Sequence, residues 1–170
     1  MIGVTAFAGI ASCASAGPFN PSQLAPTQLS QVQQICRSVL GIPAGVGLAT
    51  DCVANLSASA VALSRAHVMQ AARRSCLGKG LAPGGAALPQ CELSIASEHA
   101  TAASDAADVR INTGALEPVG ASYYKVSSRE IHKREQAACA RLGYDPVDGG
   151  FAKCVASLDS ALYASEHVMQ

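Results

Sequence analysis

The chain has 170 residues with 12 basic and 12 acidic side chains, so its formal net charge is zero. It therefore lacks the basic surface on which nucleic-acid binding depends, and we expect no nucleic acid among its partners. A hydrophobic content of 49% suffices for one domain with a core, whereas 3 Phe, 4 Tyr and no Trp leave few large aromatic side chains. Alanine, at roughly a fifth of the residues, favours helices.

The chain begins with an uncharged apolar segment, MIGVTAFAGIA. This segment has the length of the hydrophobic part of a signal peptide and is too short for the roughly 20 residues of a membrane-spanning helix. The motif IASC, which ends at Cys13, overlaps its end and resembles the lipobox of bacterial lipoproteins, in which the cysteine is lipidated and becomes the new N-terminus. We therefore expect a signal peptide over residues 1–12 and a membrane anchor at the lipidated Cys13.

Two alternatives remain open for this segment. The sequence ASA, which ends at Ala16, fits an ordinary cleavage site that would remove residues 1–16 and release a secreted protein. No basic residue precedes the apolar run, so a buried N-terminal helix is the other alternative. Residues 13–27 are rich in proline and uncharged, which is typical of a tether, and we place the folded domain at residues 28–170.

The six remaining cysteines fall into pairs separated by 16, 15 and 15 residues. Each pair encloses glycines and a central proline, and the second cysteines of the first and third pairs open similar segments, CVANLS and CVASLD, which both lead to HVMQ. We interpret this pattern as an internal repeat with an insertion between Asp105 and Val126. The pairs are Cys36 with Cys52, Cys76 with Cys91, and Cys139 with Cys154.

Each repeat is predicted to be an antiparallel helical hairpin, because its Gly/Pro-rich middle cannot continue a helix. The two cysteines of a pair would then face each other across the turn and form a disulfide, which stabilises a loop of this length by about 3 kcal/mol. Zinc sites need shorter spacings between cysteines, so we expect neither metal nor cofactor there. The expected fold is an all-α bundle of three disulfide-closed hairpins, at about residues 28–75, 76–111 and 127–170, with an insertion loop at 112–126.

Capping residues predict several helix ends. Ser127-Ser128-Arg129-Glu130 is a capping box, and its helix should run to about Leu142 and stop at Gly143. In the first hairpin, we expect Thr50 or Asp51 to cap the second helix. The outgoing helix of the third hairpin should begin after Asp148 and bury a single stripe, because its apolar residues lie three or four apart. These residues are Phe151, Val155, Leu158 and Leu162.

The third repeat resembles a short helix-loop-helix module of small exported proteins and lipoproteins of proteobacteria. The shared pattern is C-x2-LG-x2-P followed by FA-x-CV, read here as CARLGYDP from Cys139 and FAKCV from Phe151, and it covers about 20 residues. The match is looser elsewhere, since Leu48 replaces the Phe in the first repeat and no Val follows Cys91 in the second. The resemblance implies a helical fold and export, and it implies no activity.

Two tripeptides, His67-Val68-Met69 and His167-Val168-Met169, combine imidazole and thioether groups, a ligand set suited to copper. Residues two apart on a helix point about 200° away from each other, which favours a structural role. A copper site of His67, Met69, His167 and Met169 is therefore an alternative to the main hypothesis, which has no metal.

The insertion loop carries Tyr123 and Tyr124, and loops on a rigid scaffold often hold binding residues, which makes these tyrosines a candidate partner-binding site. The alternative is a connector whose tyrosines fold back on the helical bundle. No serine lies in a nucleophile elbow, and the sequence predicts no catalytic residues. Our hypothesis is a non-enzymatic, exported or lipid-anchored structural or protein-interaction module of the bacterial cell envelope. It would act in the periplasm or on a membrane surface, or otherwise be secreted. The alternative is a periplasmic protein that binds a small ligand or copper.

Overall fold

The computed structural model describes residues 24–45, 47–102, 110–116 and 118–168. In this part of the chain the regular structure is entirely helical, which confirms the predicted all-α fold. A single turn of 3-10 helix, Tyr123–Lys125, lies between the third and fourth α-helices. The α-helices are α1 (Pro26–Ser38), α2 (Gly47–Gly78), α3 (Ala87–Ala102), α4 (Ser128–Arg141) and α5 (Gly149–Val168).

Three disulfides close the turns between consecutive helices, and the predicted pairing is confirmed. In each bridge the first cysteine lies in the last turn of a helix, and the second lies in the second turn of the next helix. The paired Cα atoms are 6.1–6.2 Å apart, closer than the usual 8–10 Å between helix axes. The bonds join Cys36 to Cys52, Cys76 to Cys91 and Cys139 to Cys154.

The first helix starts earlier than the sequence predicts. Leu24 is buried in the core, and α1 begins at Pro26, where a proline suits the first helical position. Gln28 Oε1 accepts a hydrogen bond from the backbone N–H of Ala25 at 3.2 Å, which satisfies one of the donors at this end. The predicted tether over residues 13–27 is therefore too long at its C-terminal end. The signal segment, Cys13 and the rest of the tether lie outside the described residues.

The long helix α2 belongs to two hairpins, so the predicted boundary at residues 75 and 76 falls inside one continuous element. It begins at Gly47 rather than at Thr50 or Asp51, and the prediction of its start is wrong by three residues or more. Leu48 is fully buried, and its packing explains why the first turn forms ahead of the two capping candidates. From Cys52 to Cys76 the helix spans about 36 Å at 1.5 Å per residue.

The third hairpin follows its sequence closely. Ser127 Oγ accepts a hydrogen bond from the backbone N–H of Glu130 at 3.4 Å, so the predicted N-cap of α4 is confirmed. The helix ends at Arg141 with Leu142 as its C-cap, and α5 begins directly after Asp148. In the predicted stripe of α5 the last three residues are buried and the first is half-buried: Phe151, Val155, Leu158 and Leu162.

The main hydrophobic core lies between α1, the first half of α2, α4 and α5. Equivalent positions of the internal repeat meet here, since Asn55 Nδ2 donates to Ser157 Oγ at 2.9 Å and to its carbonyl at 3.1 Å. Further along α2, the Tyr144 hydroxyl donates to the Ser59 carbonyl at 2.7 Å. The first and third hairpins therefore pack on each other, and we call this part of the molecule the core region.

The second half of α2 and helix α3 form a hairpin outside the main core, which we call the outer hairpin. Its contacts are the Cys76–Cys91 disulfide, buried Leu88 and Ala72, and an ion pair between Arg73 and Glu92 at 3.9 Å. None of the helices in the described part of the chain is long and apolar enough to span a membrane.

Candidate functional site

The insertion loop packs along the core region and positions the side chains of a small cleft. Three backbone hydrogen bonds attach it, from Asn112 to the Arg141 carbonyl at 2.8 Å, from Val119 to Ser38 at 3.2 Å and from Tyr123 to Gly41 at 3.2 Å. Ile111, at the start of this segment, belongs to the core. The loop, which joins α3 to α4 along the chain, is therefore packed against α1 and α4.

A buried arginine of α4 holds this loop in place through hydrogen bonds to backbone carbonyls. Arg134 is 8% exposed, and its Nη1 donates to the carbonyls of Leu40 at 3.3 Å and Ala121 at 2.8 Å. Its Nε forms an ion pair with Glu130 at 3.3 Å. Arg134 is thus structural, whereas its neighbours His132 and Lys133 are exposed.

Its neighbour Glu135 is a carboxyl group with no exposed surface. Tyr123 donates its hydroxyl hydrogen bond to Glu135 Oε1 at 3.0 Å, whereas Oε2 accepts no hydrogen bond from any described residue. The closest cationic group is the His132 ring, whose Nδ1 lies 3.7 Å from Oε2. A buried carboxylate oxygen whose nearest donor is this distant is poorly satisfied, so this atom marks the position as unusual.

Burial raises the pKa of Glu135 above its usual 4.5, because the ionised carboxylate loses its hydration. The hydrogen bond from Tyr123 opposes this shift, while the negative charge of Asp159 on α5 adds to it. The charge of His132 and a long hydrogen-bond contact from its ring to the carboxyl group oppose the shift more weakly. On the other side of the imidazole, Nε2 lies 3.1 Å from Gln136 Nε2, which can only donate, so the proton of the neutral ring is on Nδ1 and faces Glu135.

Glu135 and these neighbours line a cleft of about 330 Å³ between the insertion loop, α4 and α5. The rings of Tyr123 and Tyr124 meet edge to face, with centroids 6.1 Å apart and planes at 89°. Tyr163 of α5 lines another part of the cleft and is 61% exposed. The cleft therefore combines aromatic faces and acidic groups, and no lysine or arginine is among the described residues that line it.

A second depression, of about 460 Å³, lies between α1 and the start of α2. Its walls are formed mostly by small apolar side chains, for example those of Ala44, Ala49 and Val53. The Cys36–Cys52 bridge lies beside it. Arg37 and Gln33 line its rim. It offers shape and apolar surface but no converging polar groups, so we place the candidate site at the Glu135 cleft.

The structure separates the two tyrosines of the predicted binding loop. Tyr123 is 4% exposed and belongs to the core, so its side chain acts mainly by holding Glu135 and cannot contact a protein partner. Tyr124 is 41% exposed and lines the cleft. The predicted binding role therefore remains available to Tyr124 alone.

The alternative copper ligands are not brought together in the described part of the chain. His67 and Met69 are both exposed and two residues apart on continuous α2. The side chain of His167 and all of Met169 lie outside the described residues. Among the residues whose placement is described, no group of three His, Cys, Asp or Glu could hold a metal ion.

Sequence reasoning missed Glu135 and Arg134, although a signal for the first was present. Ile131, Ala138 and Leu142 form an apolar stripe at helical spacing on α4, and Glu135 occupies the position between the first two. A charged residue inside a buried stripe indicates either a structural ion pair or a site. Comparison with known proteins adds no further assignment, because no family, no characterised protein and no solved structure shows significant similarity to this chain.

Proposed function

We propose that this protein is an exported, non-enzymatic binding module of the bacterial cell envelope, held at a membrane by a lipid on Cys13. The observation that carries the export is the set of three disulfides, one in each of the three helical hairpins. Such bridges form in oxidising compartments, such as the periplasm, whereas the cytosol keeps thiols reduced. The lipobox-like motif before Cys13 supports the anchor.

The stapled scaffold supports a binding role. Short bridges close the three hairpin turns and backbone hydrogen bonds attach the insertion loop, so the turns and the loop form stable surfaces. Exposed apolar side chains lie on the insertion loop, on the turn between α4 and α5 and on α5 itself, where Tyr124, Val147 and Tyr163 are 41%, 87% and 61% exposed. An envelope protein that contacts the insertion loop is the partner we propose.

Mass spectrometry of the protein purified from membranes of an expressing bacterium tests export and anchoring together. We expect a mature chain that begins at a lipidated Cys13 and contains all three bridges. The matched control is Cys13→Ala, which should lose the lipid and leave the three bridges unchanged. An N-terminus at Gly17 without lipid would replace the anchor by secretion, and free thiols at the six paired cysteines would overturn export itself.

The second candidate function is the binding of a small ligand in the periplasm, and the Glu135 cleft is the observation that favours it. In the metal-binding version of this function, the ligand is copper, which would be bound by His67, Met69, His167 and Met169. Titration with Cu(I) checks it, because His67→Ala and His167→Ala should each weaken binding if these residues are ligands. Binding that both variants retain would rule out the copper site.

A further inference from the structure

We propose that the Glu135 cleft is a binding site for a small organic cation, a primary ammonium group on a short apolar chain. The inference rests on the ligand-binding form of the proposed function, and it does not depend on export or on the lipid anchor. It is carried by three properties of the cleft, namely the charge of its lining, a buried oxygen whose nearest donor is distant, and its exposed aromatic rings.

The lining charge selects the sign of the ligand. Glu135 and Asp159 contribute two carboxyl groups from α4 and α5, and the only basic side chain among the described lining residues is that of His132. The chain as a whole carries equal numbers of acidic and basic residues, so an acidic cleft is a local property and not a reflection of composition. Such a cleft attracts cations and repels anions.

The buried oxygen selects a ligand with hydrogen-bond donors. Glu135 has no exposed surface, and its Oε2 accepts no hydrogen bond from a described residue. The imidazole of His132 covers this atom at 3.7 Å, and the side chain of His132 is itself 57% exposed. Rotation of this exposed ring would open Oε2 to the cleft, where an ammonium N–H could donate to it and compensate the buried charge.

The aromatic walls and the volume select an organic cation over a bare metal ion. Tyr124 and Tyr163 contribute exposed rings to the cleft, at 41% and 61%, and the buried ring of Tyr123 supports Tyr124 edge to face. Tyrosine faces attract ammonium groups, and they also cover the apolar part of an amine. A cleft of about 330 Å³ is at the small end of the range for ligand sites, which fits an amine of a few heavy atoms.

The test is an NMR titration of the full chain, with n-butylammonium as the probe and n-butanol as a neutral control of similar size. We expect n-butylammonium to shift the amide signals of residues 123–135 and 159–163, with at least about tenfold weaker binding of n-butanol. Asp159→Asn should weaken the binding of n-butylammonium by about tenfold, and so should Glu135→Gln. Tyr163→Leu, which keeps an apolar side chain without the aromatic face, should weaken it less.

Asp148→Asn is the matched control, because it removes an exposed carboxylate from the turn before α5 and outside the cleft. Equal loss in Asp148→Asn and Asp159→Asn would show general charge attraction and overturn the site. Equal affinity for n-butanol would overturn the cation, and shifts elsewhere in the chain would overturn the location. Since Asp159 is exposed, its variant decides the outcome even if Glu135→Gln does not fold. If the cleft does not bind n-butylammonium, the mass-spectrometric test of export and anchoring is unaffected.

Discussion

The third hairpin and the outer hairpin contain the same covalent bridge in very different surroundings. Both disulfides join cysteines 15 residues apart, and both hold Cα atoms at 6.1 Å. Cys139 and Cys154 are 0% and 2% exposed within the main core, whereas Cys91 is only half-buried and Leu93 beside it is 63% exposed. The comparison shows that the same disulfide closes the turn of both hairpins but does not determine how much of the hydrophobic core packs against each hairpin.

The difference originates in the spacing of apolar residues. In α5 the buried residues Val155, Leu158 and Leu162 lie three or four positions apart and form one stripe, which faces the core. In α3 the large apolar residues do not share a face, because Leu88 is buried while Leu93 points to solvent. Both buried charged residues of the described chain, Arg134 and Glu135, also lie in the core region.

The largest expected effect comes from removing one disulfide at a time, which should affect the third hairpin and the outer hairpin differently. We expect Cys139→Ala with Cys154→Ala to lower the free energy of global unfolding by about 3 kcal/mol, with the other two bridges intact. The matched double variant, Cys76→Ala with Cys91→Ala, opens a loop of equal length, but its main effect should be lost hydrogen-exchange protection in α3. Urea unfolding followed by circular dichroism measures the first effect, and amide exchange measures the second. Equal losses of global stability would mean that α3 unfolds together with the core.

Two glycines of left-handed conformation allow a smaller test of the same contrast. Gly41 has φ +73°, and a Cβ atom there would lie 2.8 Å from the Ala121 carbonyl oxygen and 2.9 Å from Val119 Cγ2. Gly80 of the outer hairpin has φ +85° and nothing within 4 Å of the same position. Gly41→Ala should therefore cost about 2 kcal/mol or more, and Gly80→Ala about 1 kcal/mol, since only the first adds a steric clash to the backbone strain. Thermal unfolding of both variants checks the order, which a larger loss for Gly80→Ala would contradict.

The smallest expected effect is a pH dependence that the buried carboxyl of the core region introduces. The pKa of Glu135 is raised in the folded protein, so between the unfolded value near 4.5 and the folded pKa the native state binds more protons than the unfolded state. Its contribution to stability is therefore complete below pH 4.5 and is lost as the pH rises towards the folded pKa. Glu135→Gln should flatten this part of the stability profile, as measured by urea unfolding at a series of pH values.

Asp148→Asn again serves as the control, because it removes an exposed carboxylate and should not flatten this part of the stability profile. His132 and Asp159 also face Glu135 and are present in both proteins, so the comparison of variant and parent isolates the buried group. A parent and a Glu135→Gln variant with the same slope would show that Glu135 titrates alike in the folded and unfolded chains.

Local features of the sequence determined the helices and the bridges. The Gly/Pro-rich turns, the repeated spacing of cysteines and the capping box at Ser127 act over fewer than 20 residues, and their interpretation as disulfide-closed hairpins is confirmed. The start of α1 at Pro26 and that of α2 at Gly47 were misplaced. In both cases a leucine at the helix start, Leu24 or Leu48, packs into the core, a contact that no local capping rule contains.

Only the tertiary structure decided which hairpin lies outside the core and where the candidate site is. The cleft draws Tyr123 from the insertion loop, Glu135 from α4 and Asp159 from α5 into one place. The sequence left open whether Tyr123 and Tyr124 bind a partner or fold back on the bundle, and the structure divides them, because the Tyr123 hydroxyl is buried against a carboxylate twelve residues away while Tyr124 stays exposed. Periodicity and spacing describe one element at a time, whereas burial, the raised pKa of Glu135 and the shape of the cleft arise from elements that meet only after the chain folds.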